Sequence, residues 1–159
     1  MTYKAAIHVA SNLLPADFKE VTEGHGHDPM VAIPLASANI ESKYIELYGE
    51  IAAVAGIYPT GQIWMLCTDV IYKYPLTFSR GLKRYLNTRK EKKLWNIADK
   101  RNAVHLKLLR FLDFQFLGER SHGPNNLPFI EFCRVQSNSS RSRDIRSRSN
   151  RSIRSIESS

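Results

Sequence analysis

The sequence predicts a single α+β domain, a layered α/β arrangement with a mixed, mostly antiparallel sheet and helices on both faces, followed by a disordered C-terminal tail. Three observations predict it. Between Tyr44 and Arg134 the patterning runs as three strands, a helix, a strand, a helix and two more strands. Within that stretch, Ile63-Trp64-Met65-Leu66-Cys67 is apolar throughout, as a central strand buried on both faces requires. Composition then breaks near residue 136, placing a domain at 1–135 and an Arg/Ser-rich low-complexity tail at 136–159.

The first region, 1–41, opens with a strand at Tyr3–Val9. A short helix follows from Pro15 to Glu23, with Ser11 or Asn12 near its start, and then a loop, Gly24–Met30. Pro15 and Pro29 forbid one continuous helix through this region. Lys43–Tyr48 alternates and is rich in β-formers, and Gly49-Glu50 makes a tight turn into the strand Ile51–Tyr58. Pro59-Thr60-Gly61 is the next turn signal, and the central strand Gln62–Thr68 follows it.

Phe78, Leu82, Tyr85 and Leu86 then recur at helical spacing, with Pro75 suited to a first turn. The opposite face of that helix carries Arg80, Lys83, Arg84 and Lys90. Leu94–Ala98 is a short strand. Asn102 caps the next helix, whose apolar face is Val104, Leu108, Leu109 and Leu112. Asp113 tolerates a left-handed cap and ends it. Phe114–Gly118 and Phe129–Val135 close the sheet across the loop Ser121–Asn126.

The chain's 159 residues suit one domain with a real core. No run approaches the roughly 18 apolar residues of a membrane-spanning helix, so no membrane insertion is expected. The N-terminal residues do not resemble a secretory signal. Cys67 and Cys133 both fall in predicted strands, which fits buried, reduced thiols and synthesis in a host cytoplasm.

The net charge of +8 is segregated. Residues 137–159 hold six arginines against Asp144 and Glu157, a net of +4. Residues 80–110 hold eleven Lys and Arg against Glu91 and Asp99, a net of +9. The tail's ten serines, six arginines and three isolated isoleucines bury too little apolar surface to offset ordering entropy. Arg141, Arg143, Arg146, Arg148, Arg151 and Arg154 are therefore candidate contacts to nucleic acid or an acidic partner, as are Arg80, Lys83 and Arg84. The tail has no aromatic residue to stack on bases, so nucleic-acid contact there would be non-specific.

The element order, with the helix Asn102–Phe114 (Asn near its start, packed Leu and Phe positions), resembles the GNAT-type N-acetyltransferase fold. Across residues 1–135 the chain is also similar to the small internal virion protein A family of short-tailed podophages. The residues carrying that likeness are the Glu46-Leu47-Tyr48-Gly49 hairpin, the Gln62–Asp69 strand with its Trp and Thr-Asp exit, the basic helix after it, Trp95-Asn96 and His105.

The likeness to acetyltransferases implies a pyrophosphate loop of the form R/Q-x-x-G-x-G/A, whose glycines let backbone N–H groups approach the phosphates of CoA. Asp69–Arg80 stands at that position and contains no glycine, supplying Tyr72, Tyr74, Pro75 and Phe78 instead. The virion-family likeness thus implies a non-enzymatic virion protein with no cofactor, located in the particle interior or portal region. Its implied partners are other virion proteins of the core, portal or tail, and packaged DNA, with ejection alongside the DNA. The alternative is an acetyl-CoA-dependent N-acetyltransferase acting on a host protein or small amine.

Other residues carry weaker expectations. Gly24-His25-Gly26-His27-Asp28 offers two imidazoles and a carboxylate, fewer than a fixed metal site uses, and reads as a solvated loop. His105 is a candidate general base without a neighbouring nucleophile, and reads first as a structural histidine. No metal ligand and no catalytic residue is assigned.

Overall fold

A computed structural model describes residues 3–39 and 41–136. The arginines assigned to the tail lie outside the described residues. Strands β1 (Glu41–Leu47), β2 (Glu50–Ile57) and β3 (Ile63–Cys67) form one antiparallel sheet. Strands β4 (Lys93–Asp99), β5 (Gln115–His122) and β6 (Leu127–Val135) form a second, in the order β4-β6-β5. A single parallel bridge, Gln62 to Trp95, joins β3 to β4 and makes one mixed sheet of the two halves.

Helices cover both faces. While α2 (Pro15–Lys19, continued as a π-helical turn Glu20–Gly24) sits at the edge of β3, on one face lie α1 (Tyr3–Ser11) and α3 (Pro29–Asn39). Here Ala6, Val9 and Ala10 of α1 and Ile33 of α3 pack on Val54, with Trp64 and Leu66 beside them. On the other lie the short α4 (Val70–Lys73), α5 (Pro75–Thr88) and α6 (Ala103–Phe111). Their core joins Leu86, Leu109 and Leu112 to Leu94, Ala98 and Phe132.

Most elements form where their sequence expects them, and the fold class stands. Tyr48 (φ 50°) and Gly49 (φ 84°) make the β1–β2 turn with two left-handed residues. Pro75 opens α5, the Asn102 side chain accepts from the backbone N–H of His105 to cap α6, and Asp113 takes φ 66° after that helix. Both cysteines are free and buried. Among the described residues no helix is long and apolar enough to cross a membrane.

The N-terminal region differs. Tyr3–Val9, expected as a strand, is helix α1, because the buried pairs Ala5-Ala6 and Val9-Ala10 recur every four residues rather than alternating. Helix α3 was unforeseen beyond its starting loop. It is apolar all round and carries Pro34 inside it, so neither periodicity nor propensity announces it. Asp28 starts it, accepting from the backbone N–H of Met30 at 2.9 Å.

β3 and β4 stay together only at one end. There Trp95 donates its backbone N–H to the Gly61 carbonyl at 3.1 Å, and Asn96 Nδ2 donates to the Ile63 carbonyl at 2.5 Å. Gly61 sits at φ 86°, and a Cβ on it would lie 2.2 Å from the Lys93 carbonyl oxygen. Gly61→Ala is therefore expected to lower stability by about 2–4 kcal/mol, through left-handed strain and forced separation of the strands. A urea melt checks this; a loss under about 0.5 kcal/mol would show that the junction has slack.

Candidate active site

Beyond that junction the two strands share no ladder, and a cavity of about 310 Å³ opens between them. Its walls come from both faces of the sheet, since Ile33 of α3 and Trp64 line it along with Leu82 of α5 and Leu108 of α6. Most of the lining is apolar; apart from the Tyr58 and Tyr85 hydroxyls and the Trp64 indole, its polar side chains are Glu20, His25, His27, Gln62, Asn96 and His105. The indole N–H of Trp64, buried in this wall, has no hydrogen-bond partner. The wedge is a product of topology: two parallel neighbours pinned at one end by Gly61, Gln62 and Asn96 must diverge once their ladder stops.

The exposed edge that β3 turns toward the wedge is finished by α2. Leu14 donates its N–H to the Cys67 carbonyl at 2.9 Å, and the Cys67 N–H donates to Asp17 Oδ2 at 2.8 Å. Asp17 begins a buried polar chain. Asn102 Nδ2 donates to Asp17 Oδ1 at 2.8 Å and to Glu20 Oε2 at 3.0 Å, while Glu20 Oε2 faces His105 Nδ1 at 3.7 Å. Asp17, Glu20 and Asn102 are 6%, 6% and 2% exposed, so these groups interact with little solvent screening.

Burial pushes the Asp17 carboxyl up, with His105, the Cys67 N–H and Asn102 opposing it only in part. Burial also opposes charge on Glu20 and His105, but their mutual attraction outweighs it. Glu20 is held below the usual carboxylate range, and His105 is raised above the usual imidazole range. His25 goes the other way: burial, with His122 and His27 nearby, lowers it against the pull of Glu20 and Asp99. Its Nδ1 lies 3.0 Å from His122 Nε2. The arrangement thus places an imidazole–carboxylate pair, able to hold and release one proton, at the wall of an apolar slot.

Sequence reasoning placed His105 on α6 and gave Asn102 its capping role, but not the partners of either. Asp17 and Glu20 lie three apart on α2, one helical turn, which was the available signal. In the expected loop, His25 packs against His122 and Phe129, their ring centroids 5.0 Å and 5.2 Å away. Among the described residues no group of three His, Cys, Asp or Glu is placed to hold a metal.

Asp69–Arg80 folds as a helical turn and the start of α5. Val70 and Ile71 are buried, and Tyr74 packs on Tyr48 at 4.6 Å between centroids. The backbone donors that follow β3 are spent locally: Ile71 on Thr68, Tyr72 on Asp69. Asp69 itself is exposed. The stretch therefore offers no glycine cradle for a diphosphate. Of the basic residues expected to make contacts, Lys83 pairs with Asp113 at 3.4 Å and lies over the Phe111 ring at 4.8 Å. Arg80 and Arg84 stand exposed on α5 and have no ion pair among the described residues.

Among solved structures, the fold is shared with a GNAT-family acetyltransferase of Bacillus anthracis (TM-score 0.60, 10% identity), over 84% of this chain and 88% of that one. It is similar to a ribosomal-protein-alanine N-acetyltransferase of Brucella melitensis (TM-score 0.61, 14% identity), over 85% and 96%. It is similar too to the aminoglycoside acetyltransferase AAC(6')-Ib in complex with paromomycin and acetyl-CoA (TM-score 0.60, 17% identity), over 90% and 93%. No protein-family model and no curated protein matches the chain.

At these identities the likeness establishes the GNAT-type fold. It also corrects the expectation of a non-enzymatic virion packing module associated with core or portal and ejected with DNA. The structures that share the fold are acetyltransferases, some solved with CoA or acetyl-CoA, and they stand against that expectation and on the side of its alternative. The expectation of no cofactor loses its ground with it. The physical reason lies in the wedge: strand divergence makes it, not the glycines of the loop, so missing glycines do not imply a missing slot.

Proposed function

We propose that this protein transfers an acetyl or short acyl group from a pantetheine thioester to an amine, with the reacting groups meeting in the wedge between β3 and β4. The observation that carries the proposal is the slot itself, about 310 Å³, apolar along its walls and ending on the Glu20–His105 pair. An extended pantetheine arm is thin and carries amides able to pair with the unladdered edges of β3 and β4, which suits a gap between separated strands. The fold it shares with acetyltransferases supports the same reading.

The chemistry asks little of the protein. The amine nitrogen attacks the thioester carbonyl, the C–N bond forms, the C–S bond breaks, and the thiolate leaves and takes up a proton. The proton lost by the attacking amine goes to His105, whose Nδ1 faces Glu20 and whose other ring nitrogen is left for the substrate. Glu20 orients the ring and stabilises its charged form; Asn102 holds Glu20 in turn.

Acetyl-pantetheine and acetyl-CoA are the donors for a direct test, with paromomycin, an alanine-terminated peptide and simple primary amines as acceptors. Thiol release dependent on an amine is expected, together with a rise in melting temperature. A donor at a hundred times its dissociation constant adds about 2.7 kcal/mol of stability. No thiol release and an unmoved melting temperature with both donors at millimolar concentration would reject the proposal.

A further inference from the structure

We infer that the acyl donor arrives as a phosphopantetheine thioester carried on an acidic protein, which docks on the outer face of α5 and α6. The inference rests on the transferase reading above and concerns who presents the arm. Two separate observations carry it.

The first is that the site is built for the arm and not for a nucleotide. The wedge is a narrow slot between two strands, yet Asp69–Arg80 spends its leading backbone donors on its own turn and packs Tyr74 on Tyr48. It also presents the exposed carboxylate of Asp69, which repels the two charges of a diphosphate. A carrier-bound arm ends in one phosphodiester joined to a protein side chain. That linkage needs no glycine cradle, because recognition moves from the nucleotide to the carrier's surface.

The second is the charge left over on the helices that wall the slot. The inner side of α5 lines the cavity through Leu82, Tyr85 and Leu86, while its outer side exposes Arg80 and Arg84 without ion pairs. On α6, Lys107 is exposed and has no ion pair among the described residues, one turn before Phe111, over whose ring Lys83 lies. Leu76, Val104 and Phe111 are 62%, 42% and 42% exposed on these same two helices. Unneutralised cations interspersed with exposed apolar side chains match an acidic helical surface with some apolar contact of its own. A structural role for Arg80 and Arg84 would show partners, and among the described residues they have no ion pair.

The test measures binding by calorimetry with the full chain, so no acceptor amine is required. A bacterial acyl carrier protein in its acetyl-phosphopantetheine form, acetyl-CoA, acetyl-pantetheine and a 20-base-pair DNA duplex are the four probes. The acetylated carrier is expected to bind at least ten-fold more tightly than acetyl-CoA, and to weaken as salt rises from 50 to 300 mM. The double change Arg80→Glu with Arg84→Glu is expected to weaken the carrier at least ten-fold and to leave acetyl-pantetheine unchanged. Arg80→Gln with Arg84→Gln serves if the charge reversal fails to fold. Acetyl-CoA binding as tightly as the carrier, or carrier affinity indifferent to both variants, overturns the inference and leaves the transferase reading standing. Duplex DNA binding more tightly than the carrier and depending on Arg80 and Arg84 overturns it in favour of a nucleic-acid face. If none of the three thioesters binds, the transferase reading falls and this inference falls with it.

Discussion

Asn102→Asp is expected to destabilise the protein by about 3–5 kcal/mol, although aspartate caps a helix as well as asparagine does. The reason is where the amide points. Asn102 is 2% exposed, and its two amide hydrogens hold both Asp17 and Glu20. Aspartate removes these donors and sets a third carboxylate against two buried ones. The loss should shrink as pH falls, because protonating Asp17, whose carboxyl is already raised by burial, removes the repulsion. Asn102→Ser, which keeps the cap and adds no charge, should cost clearly less. Urea melts of the two variants at pH 5 and pH 8 measure all of this. A change below about 1 kcal/mol for Asn102→Asp at pH 8 would mean the carboxylates find water, and the network is no closed unit.

His105→Ala is expected to lower kcat for acyl transfer by about 10²–10⁴-fold with little change in KM for the donor. The pH profile distinguishes a proton acceptor from a packing residue. The folded pKa of His105 is raised: burial works against the charged form, but Glu20, and more weakly Asp17, win. The ring accepts a proton only once it is neutral, so wild-type kcat should climb as pH passes through that raised value, above 6.5. His105→Ala should lose the limb.

Stability runs in the opposite sense. A raised histidine contributes fully below its unfolded value of about 6.5, and that contribution is lost as pH rises through the folded value. Glu20, depressed in the fold, contributes above its unfolded value, and its share is lost as pH falls through the depressed one. The melting temperature of the wild type should therefore decline over the same alkaline span in which its rate rises. Glu20→Gln should bring the kinetic limb to lower pH. A limb that stays in place in Glu20→Gln would show that Asp17 or His25 sets the proton affinity of the site.

The sheet was legible because its signals are local. Tyr48-Gly49 and Pro59-Thr60-Gly61 are turns that any register must respect, and Ile63–Cys67 has no polar residue to offer a surface. Asn102 and Asp113 bracket α6 through backbone preferences that do not depend on what packs nearby. Alternating Tyr3, Ala5, Ile7 and Val9 imitate a strand until Ala6 and Ala10 are seen to be buried as well, which only packing on Val54 reveals. α3 hides because a helix apolar on every side has no phase. The wedge was invisible for a different reason. It consists of bonds that β3 and β4 do not make, and Asp17 and Glu20 acquire chemistry only from partners distant in sequence: Cys67, Asn102 and His105.

That separation orders events during synthesis. Asp17 and Glu20 leave the ribosome long before the amide that will hold them, and Glu23 precedes its partner Asn125 by 102 residues. The first helices can settle once β2 and β3 have emerged, through Val54 and the Cys67 backbone, but Asp17 and Glu20 lack the Asn102 amide, and Glu20 the His105 ring, until α6 follows. Long-range closure of this kind slows folding and lengthens the exposure of unpaired edges. The proton site therefore exists only after α6 has emerged: a nascent chain lacks it until then, and a chain stopped before residue 102 can never assemble it.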